Sequence, residues 1–252
     1  MSKKYTKIDH LIKSKYQKVE TSNFEIPKFE LNLVIKPMCY YISNNLTKKE
    51  IKDSFGVEYN APDFKGSDFL NGFSYPKTPI IIDENPDEAI LGNWGLIPFW
   101  AKNRGIQKMT LNARIDTLTE KPSFKNSVSN RCLVLVNGFY EWKWLDSKGK
   151  NKQKYFIQLA NNSKPFALGG IYNMWTDKDT NETLTSFSIV TSNANELMSE
   201  IHNTKDRMPL ILSKEAEEAW LSDRPVDDFA FPHYNPQLVA LNLDASNPTT
   251  LF

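Results

Sequence analysis

The chain of 252 residues is poor in the side chains that build metal centres and crosslinked scaffolds. It has two cysteines, Cys39 and Cys132, and three histidines, His10, His202 and His233. Two cysteines cannot make a disulfide framework, and this usage fits a reducing cytoplasm. None of the five stands at a paired metal-ligand spacing, so no metal is expected, and no cofactor either. No apolar run approaches the roughly 18 residues of a membrane span. The N-terminus is Lys-rich but has no continuous apolar stretch behind it, which argues against a secretory signal. Internal repeats and low-complexity tracts are also missing.

What is present is a chain with 40% hydrophobic residues, enough for one large core or two small ones. The formal net charge of +1 hides an asymmetry. Residues 1–37 carry eight lysines against four acids, whereas the remainder carries 23 basic and 26 acidic residues. Pro37 breaks the chain just after this Lys-rich stretch. Residues 1–37 therefore read as an N-terminal extension, either a propeptide, a packed arm or a misassigned start, with one domain over 38–252. Within the extension His10 to Val19 reads as weakly helical and Phe29 to Ile35 as extended. One later segment gathers cations: Lys102, Arg104, Lys108, Arg114, Lys121, Lys125 and Arg131, against Asp116 and Glu120. A nucleic-acid face needs such a gathering, although charge alone fits a solvated face equally well.

Strand-like runs dominate the domain. Thr78–Ile82, Ala89–Gly95, Arg131–Trp144, Lys154–Leu159, Phe166–Trp175, Ser186–Thr191 and Met208–Leu212 are rich in Ile, Val, Phe and Tyr. Gly149 marks a polar turn between two of them and predicts a hairpin. Thr47-Lys-Lys-Glu50 is a capping box that should open a helix ending at Gly56. Asn193–Ile201 and a Ser-capped Ser213–Leu221 also read as helices. Residues 60–78, rich in Asn, Pro, Gly and Asp, read as loop. Many strands with few alternating helices predict an α+β domain with mainly antiparallel strands and a few short flanking helices.

Polar residues stand in separated islands: Met38-Cys39, Asn112-Ala-Arg114, Gly138-Phe-Tyr-Glu-Trp142, and Ile201-His202 ahead of Arg207-Met-Pro209. They offer a thiol, an amide, a carboxyl and an imidazole, a set suited to nucleophilic chemistry on a carbonyl. Together with Trp94-Gly-Leu-Ile-Pro98, Trp100-Ala-Lys102, Gly169-Gly-Ile-Tyr172 and Trp175, in this order, they make residues 38 to about 225 resemble the SOS-response-associated peptidase (SRAP) family of abasic-site processing proteins. The resemblance implies a barrel-like fold. It also implies recognition of an abasic site in single-stranded DNA, and a covalent crosslink in which the N-terminal cysteine forms a thiazolidine with the sugar aldehyde. Carried over, Cys39 is the nucleophile, Asn112 holds its amine, Glu141 is the general acid/base and His202 a second proton carrier. Arg114 binds a flanking phosphate. Trp94, Pro98 and Trp100 form a stacking platform, and Lys102 and Arg207 join the DNA-binding set. The expected partner is single-stranded DNA with an abasic site, the expected state a monomer, and no membrane is involved.

The chemistry suits the residue. An α-amine with a pKa near 8 is far more often neutral at pH 7 than a lysine near 10.4, and the neighbouring thiol attacks the same carbon intramolecularly. The family commonly has Gly-Arg after the cysteine, where this chain has Tyr40-Tyr41, so a phosphate contact is lost or comes from Lys102 or Arg104. Asn203-Thr-Lys-Asp206 is an insertion before Arg207. Two other readings stay open: a thiol hydrolase or peptidase built on Cys39 and His202, and a non-catalytic single-stranded DNA-binding module.

Overall fold

The computed structural model describes residues 39–62, 64–160, 165–222, 224–245 and 250–251. The expectations for residues 1–37, including the two elements within them, and for Met38 lie outside these residues.

Among the described residues there are fourteen strands, three short α-helices and five short 3₁₀ segments. The strands are β1 (Tyr41–Asn44), β2 (Ser67–Asn71), β3 (Lys77–Ile82), β4 (Asn85–Trp94), β5 (Asn112–Arg114), β6 (Arg131–Val136) and β7 (Gly138–Trp144), then β8 (Lys152–Leu159), β9 (Phe166–Thr176), β10 (Thr183–Asn193), β11 (Arg207–Pro209), β12 (Ile211–Leu212), β13 (Leu238–Asn242) and β14 (Thr250–Leu251). The helices are α1 (Lys48–Phe55), α2 (Glu196–Ile201) and α3 (Lys214–Leu221). The mixed, mainly antiparallel α+β class is as the sequence predicts. Among the described residues no helix is long and apolar enough to cross a membrane.

Two sheets form the body. One has the order β14-β13-β8-β7-β1-β2. In the other, β4-β3-β6-β9 run antiparallel in that order, and β10 pairs antiparallel with β9 and parallel with β4. That last pairing closes a five-stranded barrel and removes its free edges. Alternation along the barrel strands feeds two apolar clusters. Ile80, Val134, Leu168 and Phe187 join Ile42, Phe139 and Ile157 of the other sheet and Met198 and Ile201 of α2. Ile81, Leu133, Leu135 and Ile171 are covered by Ile51 and Phe55 of α1 and by Ala216 and Trp220 of α3.

Local signals explain the helix ends. Glu50 N–H donates to Thr47 Oγ1 (3.2 Å) and Thr47 N–H to the Glu50 carboxylate (2.8 Å), while Gly56 takes the left-handed C-cap at φ 75°. Ser213 sits at the N-cap of α3, as expected, but makes no side-chain cap bond.

The sequence reading is corrected in three places. Residues 60–78 hold β2 and a 3₁₀ turn (Gly72–Ser74), because β1 offers β2 a partner that no local pattern announces. Arg131–Trp144 is two strands, β6 in the barrel and β7 in the other sheet, divided at Asn137. Met208–Leu212 is likewise split, β11 pairing with β10 and β12 with β9.

Candidate active site

Cys39 lies two residues before the start of β1, and β1 pairs with β7 so that Tyr41 stands opposite Tyr140. Alternation along β7 turns Phe139 into the core and Glu141 to the same side, under Cys39. The backbone N–H of Cys39 donates to Glu141 Oε1 at 2.6 Å, across 102 residues of sequence, and both residues are buried. Cys39 has φ 38°, a left-handed conformation that is uncommon for a side-chain-bearing residue.

This pocket disfavours charge. Burial raises the Glu141 carboxyl above its ordinary range; positive charge on His202 and the hydrogen bonds from Cys39 oppose that rise. Burial also raises the Cys39 thiol, and the charge and hydrogen bond of Glu141 push it further; Arg207 pulls the other way. The resting thiol is therefore protonated, with its proton acceptor already in contact.

His202 is the C-cap residue of α2 and is buried. Its Nδ1 lies 2.8 Å from the carbonyl oxygen of Arg207; a carbonyl oxygen only accepts, so Nδ1 is the donor of this bond. Residues 203–206 form the turn between α2 and β11, so the insertion is absorbed and both groups still meet.

Arg207 is 4% exposed. One guanidinium nitrogen, Nη2, donates to the carbonyl and the hydroxyl oxygens of Thr191, each at 2.7 Å. Its Nε and Nη1 are buried with no hydrogen-bond partner among the described residues, and Nη1 stands 3.9 Å from Asp116 Oδ1. Such buried unmet donors on a cation are costly, and they suit an anion. Asp116 also grips Arg114 through Nε (3.0 Å) and Nη2. Arg114, exposed, follows Asn112 by two places on β5, so both project to one side of that strand.

The remaining expected residues divide. Trp100 is 48% exposed and Lys102 is exposed, the indole N–H of Trp100 bonding to Pro122 O at 3.2 Å. Trp94 is 0% exposed; its indole N–H donates to Leu111 O at 2.8 Å and its ring packs in the core cluster. Pro98 is buried too, its carbonyl capping the turn to Ala101. Neither offers a face to a base, which corrects the expected platform. Phe99, 63% exposed between Pro98 and Trp100, was missed; its position beside an exposed tryptophan was the available signal. Two members of the basic cluster are committed elsewhere. Arg131 is buried against Trp220 and bonds the Trp220 and Ser222 carbonyls, and Arg104 pairs with Glu182 at 2.7 Å. Cys132 is fully buried in β6, as expected.

Comparison with known proteins adds four findings. The model of the family described as SOS response associated peptidase (SRAP) matches residues 38–238. The abasic site processing protein YoqW of Bacillus subtilis (strain 168) is 44% identical over 135 residues, 53% of this chain and 57% of that protein. The abasic site processing protein HMCES of Xenopus tropicalis is 34% identical over 160 residues, 55% of this chain and 47% of that protein. The chain thus spans about half the length of the curated relatives it matches. A crystal structure of a protein from Bacteroides thetaiotaomicron superimposes with a TM-score of 0.71 at 35% identity, covering 82% of this chain and 93% of that one.

Proposed function

The chain belongs to the SOS response associated peptidase (SRAP) family, and from that premise we propose that it captures abasic sites in single-stranded DNA as a covalent crosslink through Cys39. The observation that carries this reading is the 2.6 Å contact between the Cys39 nitrogen and Glu141 in a buried pocket beside Arg207. The names of YoqW and HMCES, both abasic site processing proteins, support the substrate class.

Once Cys39 is the first residue, its nitrogen becomes the α-amine and keeps Glu141 as partner. The neutral amine attacks the aldehyde carbon of the ring-opened sugar, and water leaves to give the imine. Glu141 shuttles protons at this step, including the one that leaves with the water. The thiol then adds to the imine carbon, its proton passing by way of Glu141 to the nitrogen, and a five-membered thiazolidine closes. The net loss is one water. The second attack is intramolecular and gains the proximity advantage of that geometry. A raised Glu141 carboxyl suits both directions of transfer, because its affinity for protons approaches that of the groups it serves. His202 is a second proton carrier. Asn112 holds the amine, and Arg114, Arg207, Trp100 and Lys102 contact the strand around the lesion. The protein acts as a monomer.

This chemistry needs a free nitrogen on Cys39. The test is intact mass, before and after adding a single-stranded oligonucleotide with one abasic site. The protein beginning at Cys39 should gain the mass of the oligonucleotide less one water, and Cys39→Ala should not. A stable adduct on the chain with residues 1–37 attached would overturn the α-amine mechanism.

A further inference from the structure

The strand that carries Glu141 has a second face. Tyr140, Trp142 and Trp144 alternate with Phe139, Glu141 and Lys143, so they stand on the side of β7 away from the thiol. Across the hairpin the register sets Trp142 opposite Lys154 and Trp144 opposite Lys152. Lys152 Nζ lies 5.0 Å from the Trp144 ring centroid. Lys154 Nζ lies 4.3 Å from that of Phe69 on β2 and 4.4 Å from that of Tyr140. Tyr41 of β1 stacks on Phe69 at 4.7 Å and meets Trp142 edge-on at 4.9 Å.

The aromatic surface here is not spent on a core. Phe69 is 41% exposed, and Tyr41, Trp142 and Trp144 are half-buried. A contiguous patch of this kind marks an interaction site. Among the described residues neither Lys152 nor Lys154 pairs with a carboxylate. Rings stand in for their counter-charge.

We propose that this outer face of β8-β7-β1-β2 is a second, lesion-independent binding strip for single-stranded nucleic acid. Trp142, Trp144, Phe69 and Tyr41 supply faces for unpaired bases, and Lys152 and Lys154 bind phosphates. It rests on the reading of single-stranded DNA as the ligand but not on the chemistry at Cys39. A row of rings on β7 facing a row of cations on β8 matches the base side and the phosphate side of a single strand. A protein partner fits less well, since lysine is depleted at the centre of protein interfaces. Each lysine is a long, flexible arm. On docking its ammonium swings from ring to phosphate, and a base takes the ring face it leaves. Because Glu141 projects from the opposite side of β7, between Tyr140 and Trp142, the strip runs directly behind the reacting residues.

The experiment is fluorescence anisotropy on an undamaged thymidine oligonucleotide of about 16 nucleotides, across a salt series, with the full chain. Thermal melting controls for folding. Lys152→Gln with Lys154→Gln should weaken binding and reduce the slope of log affinity against log salt by about 1.4, two phosphates at about 0.7 each. The paired Lys→Arg changes should restore the slope. Phe69→Ala should weaken binding about fivefold or more without altering it. An unchanged affinity and slope in the Gln pair overturns the proposal. So does an equal loss of affinity for a duplex of the same length, since paired bases do not stack on rings. If the protein beginning at Cys39 fails to capture abasic DNA while these effects persist, the crosslinking reading falls and the strip stands.

Discussion

Replacing Glu141 with Gln should move two reactivities of one residue in opposite directions. Glutamine keeps the shape and still accepts the 2.6 Å hydrogen bond from the Cys39 nitrogen, but it has no charge and no exchangeable carboxyl proton. Loss of a positioned general acid/base costs about a hundredfold or more, so abasic-site capture should slow by at least that factor. Binding of undamaged single strands should stay nearly constant, because Glu141 is buried away from solvent. The thiol should respond oppositely. Burial is the largest cause of its raised pKa, and Glu141 is the next. Removing the carboxylate lowers that pKa, so at fixed pH more thiolate forms and iodoacetamide should alkylate Cys39 faster. Single-turnover capture kinetics and the pH dependence of alkylation, followed by intact mass, give both readings. If capture and alkylation slow together, the substitution has disturbed the pocket and the assigned role of Glu141 is wrong. Unchanged capture refutes it outright.

Four further outcomes follow from the same geometry. Burial raises the Glu141 carboxyl, so the acid limb of capture should lie above the ordinary glutamate value of 4.5. By linkage, this group's contribution to stability is present at low pH and fades as pH rises through its folded pKa; Glu141→Gln should flatten both profiles. Asp116→Asn should tighten single-strand binding at low salt, because the carboxylate that competes for Arg114 and Arg207 is gone; anisotropy showing weaker binding would mean that Asp116 positions the arginines instead. Asn112→Ala should slow capture more than it weakens binding, as paired kinetic and equilibrium measurements would report. Gly138→Ala should cost about 1–3 kcal/mol, seen as a lower melting temperature, because a Cβ there meets the Phe156 ring and lies 2.9 Å from Ile157 O.

The glycine of Gly138-Phe-Tyr-Glu-Trp142 shows how far the sequence could be read. The motif marked the right strand and its carboxyl. The demand for glycine, however, comes from Phe156 on the neighbouring strand. Capping residues were legible because their partners lie within four positions, as Thr47 and Glu50 show. β2 was not, because Ser67–Asn71 has half-exposed polar positions and acquires strand character only from β1. Trp94 and Pro98 entered the stacking platform through the family resemblance, but a motif does not reveal which way a ring faces. The ring and lysine strip escaped notice for a related reason. Its members come from β1, β2, β7 and β8, and no window of sequence holds them together.

Barrel closure also sets the order in which this molecule can be made. β10 must bond β4, with Phe187 opposite Trp94, and β5, with Ile189 opposite Asn112. Both partners are separated from it by long stretches of chain. Such non-local pairing is slow, because the entropy of loop closure is lost before the contacts form. A chain emerging from the ribosome therefore holds Cys39 and Glu141 long before Asn193 completes the wall behind them. Until then an uncovered thiol and open strand edges coexist, which makes nascent chains the state most exposed to oxidation and aggregation.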